Sequence, residues 1–214
     1  MTTTTLILVR HGQTDYNLQS RYQGQEDVPM NDTGRAQVEA AARHLAGVRA
    51  EAIYSSDLVR CRDTARIIGG VLGLEPVPAP APELRERDFG RLEGLTREEA
   101  ASRFPDSWEQ WQHHRATWVP PGGESLGVMW GRVLAFTESL WRRHQRETFV
   151  IAAHGGPAKA IICDALGAPA ETRRAFAVSN GSISVIGRDA RGPVVLLLDE
   201  TCHLGRLPDD VEAD

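Results

Sequence analysis

The sequence predicts an α/β fold of three layers, in which helices cover both faces of a mostly parallel central sheet. Residues 5–9 and residues 52–54 are short β-forming runs, and each is followed by a segment with the apolar spacing of an amphipathic helix. Alternation of strands and helices is typical of parallel sheets whose strands are joined by right-handed crossovers. The length of 214 residues suits a large buried core, so we expect one domain over residues 1–214.

The helices of the first half have recognisable ends. The first is predicted over residues 32–46, because Gly47 follows its last apolar position. The second is predicted to begin near residues 55–57, a Ser-Ser-Asp run whose side chains can accept hydrogen bonds from the first amides of a helix. We expect it to continue to about Leu72.

Residues 84–124 are predicted to form a lid, a small helical and loop insertion over one edge of the core. This segment is irregular and contains Trp108, Trp111 and Trp118, three of the five tryptophans. The proline-rich residues 75–83 before it favour an extended connection. The elements expected after the lid are a helix that begins at Ser125 and reaches about residue 146, a strand at 148–153, a helix at 157–166, and strands at 182–186 and 194–198.

The formal charge of the chain is −5, from 24 Lys and Arg residues against 29 Asp and Glu residues. Nucleic-acid-binding domains usually present a basic face and anionic membranes attract polybasic patches, so we expect neither partner. No apolar run approaches the roughly 20 residues of a membrane-spanning helix, and the first residues lack the pattern of a signal peptide. The wide spacing of Cys61, Cys163 and Cys202 favours buried reduced thiols, a cytoplasmic location and no structural zinc site.

Two histidines occupy equivalent positions after two predicted strands. His11 and His154 each come after a buried apolar strand, and each precedes a glycine that lets a ligand approach the backbone. Ligands of open α/β sheets bind outside the carboxyl ends of the strands, so we expect both imidazoles in one crevice. His44 and His144 are assigned instead to polar helix faces.

Two arginines predict that the ligand in this crevice carries phosphate. Arg10 precedes His11, and Arg60 lies on the first turn of the helix after the second strand. Two guanidinium groups beside a helix N-terminus form a site for a dianion. The spacing of the histidines matches no metal motif, so we expect no metal and a neutral imidazole that acts as the nucleophile.

Such a nucleophile needs a carboxylic acid that protonates the leaving oxygen. Four acidic side chains in one segment are candidates, and their spacing does not choose among them: Glu83, Glu86, Asp88 and Glu93.

Four segments, in this order, resemble the signatures of the histidine phosphatase superfamily, also called the phosphoglycerate mutase-like family. Residues 8–17, LVRHGQTDYN, resemble the R-H-G-x-T-x-x-N signature, and residues 55–65, SSDLVRCRDTA, resemble the second motif. Residues 84–94, with LRERDFG followed by EG, resemble the acid-bearing segment, and residues 153–156, AHGG, resemble the last motif. The match covers nearly the whole chain and implies a phosphoglycerate mutase-like fold.

The resemblance implies a metal-independent phosphatase without a cofactor that acts on a small phosphorylated metabolite; a homodimer is left open. It implies that His11 becomes the phosphohistidine and that Glu86 is the proton donor. The residues that it assigns to binding of the phosphoryl group or substrate are Arg10, Asn17, Gln23, Gly24, Arg60, His154 and Gly155.

Two alternatives to hydrolysis follow from the same resemblance. A cofactor-dependent phosphoglycerate mutase is disfavoured because mutases carry a longer insertion with paired arginines, which this lid lacks. A phospho-ligand-binding module without turnover is disfavoured because the catalytic set is complete.

Within the phosphatase branch, the motifs are nearest to those of bacterial glucosyl-3-phosphoglycerate phosphatases and broad-range phosphatases. For the three lid tryptophans, packing within the lid is favoured over stacking on a substrate.

Overall fold

A mixed β-sheet of five strands forms the centre of the computed structural model, which describes residues 3–74, 80–113 and 117–205. The strands coincide with the runs of β-forming residues in the sequence, apart from shifts of a few residues at their ends. In chain order they are β1 (Thr4–Arg10), β2 (Ala52–Ser55), β3 (Thr148–Ala153), β4 (Ile183–Asp189) and β5 (Gly192–Glu200).

The strands lie in the order β2-β3-β1-β4-β5 across the sheet. β1 pairs in parallel with β3, and β3 pairs in parallel with β2, because helical crossovers connect these strands. β4 is antiparallel to β1. β5 is antiparallel to β4, because the turn at residues 190 and 191 that joins them is too short for a crossover. The predicted α/β fold is confirmed: the sheet is mixed, and every described strand except β4 runs in the same direction.

Helices cover both faces of the sheet, as predicted. Ile7 and Val9 of β1 face one helical layer, whereas Leu6 and Leu8 face the other, as the period of two along a strand requires. The helices of the described residues are α1 (Asp15–Leu18), α2 (Asp32–His44), α3 (Val59–Leu72), α4 (Arg97–Arg103), α5 (Pro105–His113), α6 (Leu126–Arg143) and α7 (Gly155–Ala165). The first layer contains α2 and α3, and the second contains α6 and α7.

The predicted N-cap of α3 is wrong. The helix begins at Val59, and the residue at its cap position, Leu58, supplies no side-chain hydrogen bond. The Val59 amide instead donates to the carboxylate of Asp27 at 2.6 Å. Side chains of the Ser-Ser-Asp run have other partners. That of Ser56 contacts His154, and that of Asp57 forms an ion pair with Arg85.

Two later helices differ from the prediction at one end each. Ser125 is the N-cap of α6, as expected, and its side chain accepts the amide of Val128. α6 ends at Arg143, a few residues early. α7 begins at Gly155 rather than at Pro157, so its first amides lie directly at the carboxyl end of β3.

The lid forms around a small apolar core of its own. Trp118 is buried there with Leu92, Leu95 and Ala100, and the short helices α4 and α5 contribute to this cluster. The predicted helical and loop insertion therefore corresponds to observed elements, whereas residues 75–79 and 114–116 lie outside the described part. No helix in the described ranges has the length and apolar character needed to cross a membrane.

Two side-chain environments differ from those predicted. His144 is buried rather than on a polar face, because Tyr54 and Glu147 contact its two ring nitrogens at 2.8 Å each. Cys61 and Cys163 are buried thiols, as predicted, but Cys202 is exposed in a short turn after β5.

Candidate active site

The carboxyl ends of β1 and β3 bring the two predicted histidines together. These strands are parallel neighbours, with Arg10 opposite Ala153, and the His11 amide donates to the Ala153 carbonyl at 3.0 Å. The rings of His11 and His154 meet edge to face with their centroids 5.3 Å apart. The shared crevice at the sheet edge is therefore present.

His11 is held as a neutral imidazole whose Nε2 is unprotonated. Its Nδ1 lies 2.8 Å from the carbonyl oxygen of Gly12, and because a carbonyl only accepts, Nδ1 carries the proton. Burial, together with the charges of Arg60 and Arg10, holds the pKa of His11 well below its usual value. The ring therefore offers a nitrogen lone pair to an electrophile at neutral pH.

Arg60 is fully buried beside this ring, and its nitrogens are held by fixed acceptors. Nη1 and Nη2 donate to the carbonyl oxygens of Glu26 and Gly24 at 2.8 and 2.7 Å, and Nε donates to Nδ1 of His154 at 3.2 Å. These contacts fix a positive charge at the floor of the crevice, where a planar guanidinium can face phosphate oxygens.

His154 lies behind Arg60 and has no exposed surface. Because its Nδ1 accepts from Arg60, the neutral ring carries its proton on Nε2, which lies 2.8 Å from the hydroxyl of Ser56. Burial first, and then the charges of Arg60 and the neighbouring basic groups, lower the pKa of His154 well below its usual value. Both ring nitrogens thus contact protein groups, and the ring orients Arg60.

Arg10 and Asn17 are fixed by the loop before β4. Nη1 of Arg10 donates to the carbonyl of Val178 at 2.6 Å. The side-chain amide of Asn180 donates both to Oδ1 of Asn17 at 3.2 Å and to the His11 carbonyl at 3.1 Å. Asn180 lines the cavity as well and was not predicted as a site residue.

Glu86 is the member of the acidic segment that reaches the site. Of the four candidates, Glu86 alone lines the described cavity. Glu83 is exposed, whereas the carboxylates of Asp88 and Glu93 accept backbone amides within their own loop.

The environment of Glu86 favours a protonated carboxyl group. Burial raises its pKa, against the opposing effect of the amides of Gly156 and Arg87, which donate to the carboxylate at 2.9 and 2.8 Å. The amide of Gly156 belongs to the first turn of α7, so Glu86 is fixed to the same helix N-terminus that faces the crevice.

Arg132 of α6 fixes the backbone of the Glu86 segment. Its guanidinium donates to the carbonyl oxygens of Glu83, Arg85 and Glu86 at 2.8, 2.6 and 2.8 Å. The same group forms an ion pair with Glu124. The helix α6 thereby helps to fix the position of Glu86.

A cavity of about 590 Å³ connects these groups. It is large enough for a small metabolite. Of the nine residues predicted for the site, His154 is the one that does not line the cavity; those that do are Arg10, His11, Asn17, Gln23, Gly24, Arg60, Glu86 and Gly155.

Several basic side chains that sequence reasoning missed line the same cavity. Lys159 projects from α7, and Arg173 comes from the turn at Ala170–Arg174. Arg87 is close to Arg173. Burial first, and then the charge of Arg173, lower the pKa of Arg87 to about 10. No pattern in the sequence marks these side chains, because three different elements supply them.

The tryptophans of the lid divide between two roles. Trp118 belongs to the small lid core, as the favoured interpretation predicts, and its indole nitrogen donates to Ser107. Trp108 and Trp111 stack with their ring centroids 4.7 Å apart, and Trp111 also lines the cavity. One indole ring is therefore in a position to contact a bound molecule.

A family model described as histidine phosphatase superfamily, branch 1, matches residues 6–201. Phosphoserine phosphatase 1 of Hydrogenobacter thermophilus is 35% identical over 200 residues, which cover 94% of both chains. A 2,3-bisphosphoglycerate-dependent phosphoglycerate mutase of a Methylobacterium species is 37% identical over 78% of this chain and 83% of its own. A glucosyl-3-phosphoglycerate phosphatase of Mycolicibacterium vanbaalenii is also 37% identical, over 78% of this chain and 76% of its own.

The solved structure of YhfR from Bacillus stearothermophilus has a TM-score of 0.85 against this chain. It is 28% identical, and the match covers 94% of this chain and 99% of that one. The fold of this chain is therefore shared with that solved structure over nearly its whole length.

Proposed function

The chain belongs to the histidine phosphatase superfamily, and we propose that it is a metal-independent phosphomonoester hydrolase that forms a phosphohistidine intermediate. The observation that carries the proposal is the position of His11, which presents an unprotonated Nε2 beside two arginines in a cavity that also holds Glu86. Phosphoryl transfer depends chiefly on positioning and on stabilisation of charge, and fixed side chains of this cavity supply both.

In the first half-reaction, His11 Nε2 attacks the phosphorus atom of the ester. The N–P bond forms as the bond between phosphorus and the ester oxygen breaks. The electron pair of the broken bond stays on the leaving oxygen, and Glu86 donates its proton there, so that an alcohol departs. Arg10 and Arg60 face the negative charge on the phosphoryl oxygens throughout.

In the second half-reaction, water attacks the phosphohistidine. The ionised carboxylate of Glu86 accepts a proton from the water as the new P–O bond forms and the N–P bond breaks. Inorganic phosphate leaves, and both His11 and Glu86 return to their starting protonation states.

His154 contributes in this proposal by holding Arg60. The sequence-based expectation places His154 in contact with the phosphoryl group. Such contact would require the hydrogen bond between Arg60 Nε and His154 Nδ1 to be exchanged. We therefore treat His154 as a positioning residue for the guanidinium.

The test is hydrolysis of an aryl phosphate by the wild type and by His11→Ala, each with and without EDTA. We expect wild-type activity that EDTA leaves unchanged, and loss of more than about 10⁴-fold in His11→Ala, because the nucleophile is removed. Acid-labile, base-stable labelling of the wild type during turnover would identify the phosphohistidine. Full activity in His11→Ala, or strict dependence on an added metal, would sink the proposal.

The mutase is the second candidate because a mutase is among the similar proteins. Incubation with 3-phosphoglycerate and 2,3-bisphosphoglycerate separates the two activities. Release of inorganic phosphate supports the hydrolase, whereas rapid formation of 2-phosphoglycerate supports the mutase.

The homodimer and the cytoplasmic location stay predictions. Among the described strands β5 lies at an edge of the sheet, and its Val194 and Leu196 side chains are 56% and 61% exposed. An apolar edge strand is suited to association with a second copy. Sedimentation velocity would measure the oligomeric state.

A further inference from the structure

Three potential metal ligands converge outside the catalytic cavity. His44 lies at the C-terminal end of α2, Glu200 at the end of β5, and His203 in the turn at Cys202–Leu204. One ligand atom of each lies within 4.8 Å of the others. None of the three lines the cavity of the site described above.

Two of these ligand atoms are buried without a hydrogen bond, and Oε2 of Glu200 has ion-pair contacts only with the two imidazoles of the cluster among the described residues. The side chain of His203 is 3% exposed and that of Glu200 is 14% exposed. Within the described ranges of the chain, neither Nδ1 of His203 nor Oε2 of Glu200 forms a hydrogen bond. Buried polar atoms usually have partners, so an unsatisfied pair that faces one point calls for a ligand.

The protonation of His203 follows from its other nitrogen. Nε2 lies 2.9 Å from the carbonyl oxygen of Gly181, and because a carbonyl only accepts, Nε2 carries the proton. In this tautomer Nδ1 is the nitrogen with the lone pair, and it lies 3.6 Å from Oε2 of Glu200. A hydrogen bond from the non-ligating nitrogen to a carbonyl is the arrangement that orients histidine ligands of metal ions.

The two separations from Glu200 to the histidines are close to those of a tetrahedral site. Zinc bonds of about 2.0–2.2 Å to nitrogen and oxygen place neighbouring tetrahedral ligands about 3.3–3.6 Å apart. Oε2 of Glu200 lies 3.1 Å from Nε2 of His44 and 3.6 Å from Nδ1 of His203. An ion can therefore be placed among the three atoms with small adjustments of side chains.

We propose that His44, Glu200 and His203 bind a zinc ion through Nε2, Oε2 and Nδ1. Two imidazoles and one carboxylate suit zinc, whereas calcium and magnesium prefer sites made of oxygen atoms alone. The side chain of His44 is 47% exposed, so solvent can reach the ion and water can complete the tetrahedron.

The ion would stabilise the fold beside the catalytic site without taking part in the chemistry. It would join the end of α2 to the segment after β5. His203 contacts the carbonyl of Gly181, whose amide donates to the carbonyl oxygens of Arg10 and His11. Loss of the ion is therefore expected to lower the melting temperature more than kcat.

The test is a zinc titration of untagged protein against a chromophoric chelator, with thermal unfolding measured in parallel. We expect one zinc ion per chain and a higher Tm when zinc is bound. His44→Ala and His203→Gln should each weaken binding by about tenfold or more. His203→Gln keeps a side-chain donor for the Gly181 carbonyl, and His44→Ala changes an exposed side chain, so both variants test ligation rather than folding.

Two controls decide where the ion binds. Arg43→Ala removes an exposed neighbour of His44 on the same helical turn and should leave zinc binding unchanged. His11→Ala should also retain the bound ion, because the catalytic imidazoles are not its ligands, and this result would stand even if the proposed hydrolysis failed. Absence of zinc uptake, or uptake that persists fully in His44→Ala and His203→Gln, would overturn the proposal and leave only an ion pair between histidine and glutamate.

Discussion

At the scale of single residues, Glu86 shows how surroundings assign a role that sequence position does not. Four carboxylates lie within eleven residues, but backbone amides of their own loop occupy Asp88 and Glu93, and Glu83 faces solvent. Glu86 lines the cavity with its side chain partly buried, and this burial raises its pKa. A raised pKa increases the fraction of a carboxyl group that carries the proton that a general acid donates.

Glu86→Gln should slow hydrolysis by about 10²–10⁴-fold for alkyl phosphates, because the leaving alkoxide then lacks a proton donor. Aryl phosphates with good leaving groups should lose much less. The measurement is kcat/KM over a series of esters with increasing leaving-group pKa. An equal loss for aryl and alkyl esters would contradict the role of Glu86 as the acid.

The pKa shifts of His11 and Glu86 predict a bell-shaped pH dependence of kcat/KM. As the pH falls through the lowered pKa of His11, the imidazole is protonated and the nucleophile is lost. As the pH rises through the raised pKa of Glu86, the proton donor is lost. In Glu86→Gln the limb at higher pH should disappear while the limb at lower pH stays; an unchanged profile in this variant would contradict the assignment.

At the scale of elements, the N-terminus of α7 positions several parts of the site at once. It follows β3 directly, so its first amides lie beside the crevice, where a helix N-terminus favours negative charge. The amide of Gly156 also fixes the carboxyl group of Glu86. A Cβ at this position would overlap the Glu86 carboxylate, so that side chain would have to move.

Gly156→Ala should therefore displace Glu86 and reduce kcat by about tenfold or more, with the larger loss for alkyl phosphates. Gly70→Ala is the matched control, since Gly70 lies in α3 with open space around its Cα. The control should retain activity and gain about 0.5–1 kcal/mol in the free energy of unfolding. Full activity in Gly156→Ala would show that the position of Glu86 tolerates the methyl group.

At the scale of the whole molecule, the cavity concentrates positive charge inside an acidic protein. The net charge is −5, but the cavity receives Arg10 and Arg60 from one side and Lys159 and Arg173 from the second helical layer. In our proposal Arg10 and Arg60 bind the phosphoryl group. The second pair is suited to a further anionic group on the substrate, such as a carboxylate.

A comparison of O-phosphoserine with O-phosphoethanolamine tests this inference, because the two esters differ by the carboxylate. We expect kcat/KM to be about 10–100-fold higher for phosphoserine, since a charge-assisted hydrogen bond contributes about 1.5–3 kcal/mol. Arg173→Ala should reduce this ratio, whereas Arg174→Ala, which changes an exposed neighbour outside the cavity, should not. Equal kcat/KM values for the two esters in the wild type would contradict a carboxylate subsite.

The sequence alone determined the fold class and the position of the two histidines. Short β-forming runs set the strands and amphipathic spacing set the helices. Parallel strands bring their carboxyl ends to one edge, so His11 and His154 had to meet there. The phosphate site expected from Arg10 and Arg60 stays a prediction, although both side chains line the same cavity. The fold class and the meeting of the two histidines are confirmed. These inferences succeed because they depend on periodicity and on residues close in sequence.

Only the tertiary structure decided which side chains complete the site and how they are held. Ser56 contacts His154 across 98 residues, and Arg132 fixes the Glu86 segment across 46. Lys159 and Arg173 enter the cavity, and His44 meets Glu200 and His203, through contacts that no spacing in the sequence marks. Such contacts depend on how packed layers bring distant segments together, and that packing is a property of the whole chain rather than of any window of sequence.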